Sequence, residues 1–123
     1  MPIASSELPD LLVTEFPELQ ADLQDETIRG LVHLEMGTFA EFVQRAKGRA
    51  DWDVYGRALR LADRLLREAE PALENAVHVS FLEQIDFDGA RGQDAWRLLS
   101  PELQGAWRRI NDGWGRPRPK WMK

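Results

Sequence analysis

Apolar residues recur along most of the chain at helical spacing, and nowhere do they alternate for long with the period of a strand. The clearest pattern is DWDVYGRALRLADRLLREAE, residues 51–70. There Tyr55, Ala58, Leu59, Ala62, Leu65, Leu66 and Ala69 trace one buried stripe. Asp51 is suited to cap this helix, Asp53 suits its positive end, and Arg60, Arg64, Arg67 and Glu68 fill the wet face. Pro71 either opens a new helix or kinks the old one, and Leu73, Ala76, Val77, Phe81 and Ile85 extend the pattern over 71–85.

Upstream, TIRGLVHLEMGTFAEFVQRAKG, residues 27–48, places Ile28, Leu31, Val32, Phe39, Phe42, Val43 and Ala46 on a stripe. It is interrupted near Met36-Gly37, and Thr38 to Glu41 has the form of a capping box. Two helical segments meeting near Gly37 are therefore expected. Ser100, Pro101 and Glu102 read as cap, first position and early acid of a helix that buries Leu103, Ala106, Trp107 and Ile110 and stops near Gly113. A shorter helix with Trp96, Leu98 and Leu99 precedes it, and weaker segments lie at 7–15 and, opened by Pro17, at 17–24. The pattern predicts an all-α fold: a compact single-domain helical bundle or irregular α-α superhelix of six to seven helices over 1–113, followed by a basic Trp/Pro-containing tail, 114–123.

With 123 residues, the chain has the length of one domain. It contains no cysteine, which excludes disulfides and thiolate metal sites and agrees with a cytoplasmic location. No secretory leader or membrane span is expected. The net charge of −5 is unevenly spread. Between residues 7 and 41 there are nine acidic side chains and a single basic one, Arg29. Such a surface repels nucleic acid and attracts basic partners.

The stretch IDFDGARG, residues 85–92, invites a test for chemistry. Placing Gly89 at the sixth position of a calcium loop puts Ala95 at the twelfth, and starting at Asp86 puts Arg97 there, so the required bidentate acid is missing. The expected reading is a helix end near Ile85, a buried Phe87, a glycine turn at Gly89 and Gly92, and Asp86 with Asp88 facing water as an acidic knob. His33 and His78 belong to no metal-binding spacing, and a set of His33, His78, Glu35 and Glu83 lacks the paired ExxH of bundle metal sites. Ser5, Ser6, Ser80 and Ser100 sit in no nucleophile motif, and no glycine-rich phosphate loop occurs. No enzyme activity, cofactor or metal is expected. The tail, NDGWGRPRPKWMK, either folds back to lay its basic groups and tryptophans on the acidic body or offers a stacking surface to nucleic acid.

HVSFLEQIDFDG, the following WRLLSPEL and WRRIND, and HLEMGTFAEFVQRA upstream resemble a family of small uncharacterised bacterial domains over about residues 28–112. Some of its members look like immunity proteins encoded beside secreted toxins, which implies a non-enzymatic inhibitor of a basic toxin. The acid excess points the same way and makes Glu15, Glu18, Asp22, Asp25, Glu26, Asp86 and Asp88 the candidate partner contacts. A homodimeric structural or regulatory adaptor is the alternative.

Overall fold

The computed structural model describes residues 2–122. Among them the chain forms α1 (Leu8–Glu15), α2 (Gln20–Leu23), α3 (Val32–Gly48), α4 (Trp52–Glu68), α5 (Pro71–Ala76), α6 (Gly89–Arg97) and α7 (Pro101–Gly113). Short 3₁₀ turns lead into α1 and α2, and α5 runs on into a π-helical segment, Val77–Leu82. The only β-type pairing among the described residues is a single parallel bridge between Ile3 and Ala69. The expected all-α architecture is therefore the one adopted.

The caps explain where the main helices begin. Asp51 accepts a hydrogen bond from the Val54 amide at 3.3 Å and so satisfies a donor that α4 leaves free. Ser100 does the same for Leu103 at 3.1 Å, while its hydroxyl donates to Asp63 on α4 at 2.7 Å. One side chain thus starts α7 and ties it to α4.

Two local expectations fail. Residues 32–48 form one continuous helix rather than two segments meeting near Gly37. Thr38 does not cap; its hydroxyl donates to the Leu34 carbonyl one turn back at 2.9 Å, and a methyl group at Gly37 would lie 3.6 Å from the Gln84 side chain. Ile28 and Leu31 lie instead in a separate turn, opened by Asp25, whose carboxylate accepts from the Thr27 amide and hydroxyl at 2.8 and 2.7 Å. The second failure is at 71–85, where the helix widens to π pitch at Val77 and ends at Leu82 rather than near Ile85.

α3 lies at the centre of the fold and touches α1, α2, α4, α5, the π-helical segment and α6. Its buried face carries Met36, Phe39, Ala40, Phe42, Val43 and Ala46. Phe16 packs on Phe42 with ring centroids 4.9 Å apart, and Phe39 stacks on Phe81 at 5.2 Å. A second aromatic group closes the other end: Phe87, Trp96 and Trp107 meet edge to face at 5.0–5.3 Å.

Candidate functional site

The candidate contacts divide into two acidic regions that differ in how far their charges are paired. The first is the loop after the π-helical segment. Phe87 is buried as expected, but its neighbours are committed to the fold. Three successive backbone carbonyls each accept from a distant side chain: Ile85 from Trp107 Nε1 at 3.1 Å, Asp86 from Lys47 Nζ at 2.6 Å, and Phe87 from Trp121 Nε1 at 2.7 Å. The Asp86 carboxylate also binds Lys47 at 2.9 Å and Gln44 at 2.9 Å. Burial works to raise the Asp86 pKa, but hydrogen bonding and charge from Lys47, with smaller help from Gln44 and the Asp88 amide, hold it below the ordinary value. Asp86 is thus a paired group. Within this loop it is Asp88, at the start of α6, that stays an exposed carboxylate without an ion pair among the described residues.

The two glycines of this loop do different work. Gly89 has φ +74° and uses the left-handed freedom expected of it. Gly92 does not: it lies inside α6, where a Cβ would come within 2.1 Å of the Phe87 backbone. It permits close approach rather than a turn.

The tail packs over the same region. Arg116 donates to the Glu83 carbonyl at 3.0 Å and pairs with its carboxylate at 3.3 Å, and Arg118 makes a two-pronged contact with Asp112. Trp121 packs 6.2 Å from Trp96, and Met122 is buried, whereas Trp114 remains 63% exposed. On α4, Arg57 pairs with Glu15, Arg64 with Glu68 and Arg67 with Asp63. These three arginines of α4 therefore have carboxylate partners, as do Arg116 and Arg118 of the tail.

The second region runs from the 3₁₀ turn Pro17–Leu19 through α2 to the start of α3. Glu15, at its edge, is bound by Arg57 at 3.1 Å. Glu18, Asp22, Asp25 and Glu26 are exposed, and none has an ion pair among the described residues. Glu18 and Asp22 are four residues apart across continuous helical backbone, so like charges share a face at a cost of about 0.2–0.5 kcal/mol. The Asp25 pKa is lowered by the Thr27 side-chain and backbone hydrogen bonds. Just beyond, Leu31 and Leu34 are 52% and 48% exposed, an apolar pair one turn apart.

Sequence reasoning weighed Glu35 only as a metal ligand and missed its burial. It is buried, 2% exposed, and among the described residues its one hydrogen-bond donor is the Gly30 amide at 3.1 Å. Burial raises its pKa and the Gly30 bond opposes the shift only in part. The signal was present: Glu35 stands on the stripe of Val32, Met36 and Phe39, an acid where the period calls for an apolar residue. It lines a cleft of about 450 Å³ with Ser5, Ser6, Pro9, Arg29, Gly30 and Val32.

Chemistry elsewhere is sparse. His33 Nδ1 lies 2.7 Å from Ser80 Oγ, the spacing of a base and a nucleophile, yet Ser80 is buried in the π-helical segment and is not presented to a substrate. The pair ties α3 to that segment. No group of three or more His, Asp or Glu side chains among the described residues converges to hold a metal. No helix among them is long and apolar enough to cross a membrane.

No curated protein and no solved structure matches the chain. A family match does exist, to an uncharacterised family as expected, and it extends further toward the N-terminus than the resemblance read from the motifs. Residues 9–115 fit the family model described as "Domain of unknown function (DUF7674)", and the chain belongs to that family.

Proposed function

We propose that this domain is a non-enzymatic protein-binding module that docks a basic protein on the strip formed by Glu18, Asp22, Asp25 and Glu26. More narrowly, it acts as an immunity protein that covers the basic cleft of a bacterial toxin. The observation that carries this reading is clustering: Glu18, Asp22, Asp25 and Glu26 lie close together in the sequence, all four are exposed, and none has a lysine or arginine partner among the described residues. Adjacent like charges raise association rates with a basic surface and weaken with salt. The exposed Leu31 and Leu34 beside them supply apolar area that a charged strip alone lacks.

The test is co-expression with the product of the adjacent gene, followed by co-purification across a salt series. A basic partner should co-purify, dissociate as salt rises and be lost from the Glu18→Lys/Asp22→Lys/Glu26→Lys variant. A neighbour that is not basic and forms no complex overturns the reading. A homodimeric adaptor is the second reading, favoured by Trp114, whose indole is exposed while Trp96, Trp107 and Trp121 are packed together. Sedimentation of the wild-type and Trp114→Ser chains separates the two.

A further inference from the structure

We propose that the cleft between the N-terminal arm and the start of α3 binds a free aliphatic α-amino acid, its ammonium on Glu35 and its carboxylate on Arg29. The cleft, about 450 Å³, is within the range of small-ligand sites. A carboxylate offers about four acceptor positions, and Glu35, 2% exposed, has one neutral donor at 3.1 Å. Glu35 Oε1 has no protein donor among the described residues and is not sealed off, so an ammonium in the cleft would supply the missing donors together with the opposite charge.

Arg29 lines the same cleft, is exposed and makes no ion pair among the described residues, with Glu35 or any other acid. This pairing of unmet charges selects the ligand. A simple cation would face Arg29, and a simple anion would face Glu35. A molecule carrying both charges meets each with its complement. Pro9 and Val32 add apolar wall for an aliphatic side chain. Ser5 is already committed, donating its amide and hydroxyl to Glu70 at 2.9 and 3.1 Å, so it fixes the arm rather than the ligand. Burial favours the protonated form of Glu35 in the empty cleft, and a bound ammonium would reverse that preference. The proposal does not depend on the acidic strip.

The experiment is a titration of the full chain with leucine, N-acetylleucine and leucinamide, followed by amide NMR at Gly30, Val32 and Glu35. Leucine should give saturable shifts at these positions, and each capped form should bind at least about tenfold more weakly. Arg29→Gln and Glu35→Gln should weaken leucine to a similar degree. In Glu35→Gln the amide oxygen can still accept from Gly30, so the spectrum away from the cleft should be unchanged. Absence of saturable shifts with leucine, capped forms binding as tightly as leucine, or wild-type affinity in either variant would overturn the proposal.

Discussion

Two acidic stretches, residues 83–88 and 18–26, look alike as strings of letters and behave as opposites in the fold. In the first, Glu83 and Asp86 have cationic partners, and carbonyls 85, 86 and 87 each have a side-chain donor. Those two charges close the structure, and Asp88 beside them stays unpaired among the described residues. In the second, Glu18, Asp22, Asp25 and Glu26 carry their charge outward without an ion pair among the described residues, next to exposed leucines. The difference is supply. The first stretch is approached by Lys47 from α3 and Arg116 from the tail, whereas Arg29 is the one cation in the sequence between residues 7 and 41. An acid's role is set by what the fold brings within reach, and local acid density carries little of that information.

Perturbations of the closed region should cost most. Gly92→Ala drives a methyl group into the Phe87 backbone, which cannot yield without breaking the Trp121 contact. We expect a loss of about 3 kcal/mol in denaturant unfolding, and a wild-type midpoint would refute the close-approach role. Lys47→Met should cost about 2 kcal/mol, a figure discounted because the Asp86 side chain is 59% exposed. Its pH dependence has a definite sign. The folded-state pKa of Asp86 lies below its ordinary 3.8, so the pair stabilises above that value and the benefit fades as pH falls through the lower, folded one. The gap between wild type and Lys47→Met should therefore narrow in acid, leaving the part due to the bond from Lys47 to the Asp86 carbonyl, as melting between pH 2 and 7 would reveal. Trp121→Phe removes the donor to the Phe87 carbonyl together with part of the ring packed beside Trp96, and should cost about 1–2 kcal/mol.

The open region should respond differently. Glu35 has a folded pKa raised above its ordinary 4.5, so stability declines as pH rises from that value through the folded one. Glu35→Gln should raise the melting temperature at neutral pH, and the gain should vanish below pH 4.5. Glu18→Gln should have the smallest effect, a gain of about 0.2–0.5 kcal/mol from relieved repulsion. A clear loss in either variant would mean that these carboxylates hold the fold after all.

Much of the architecture was legible because it rests on local rules. The stripe of α4 and the caps Asp51 and Ser100 needed only periodicity and hydrogen-bond chemistry over one turn. Gly37 misled because a single glycine weakens a helix without ending it, and the buried face of α3 continues through it from Met36 to Phe39. The π-helical segment was hidden because Leu73, Ala76, Val77 and Phe81 fit α spacing equally well. Lys47 and Asp86 could not be paired from spacing, since the contact joins α3 to a loop that follows two further helices. Gly92 was read as a turn because glycine's missing side chain serves conformational freedom and close packing alike. Glu35 was legible in principle, as a charge on an apolar stripe.

The bridge at Ile3 has a consequence for dynamics. Ile3 donates to the Glu68 carbonyl at 2.8 Å and accepts from the Glu70 amide at 2.8 Å, closing a long stretch of chain with two backbone hydrogen bonds. Long closures of this kind come late in folding and open early under native conditions. The arm they hold carries Ser5 and Ser6, which line the Glu35 cleft. Deuterium uptake at the Ile3 and Glu70 amides would then measure how often that wall swings aside, and a ligand lodged behind it would slow the exchange of both.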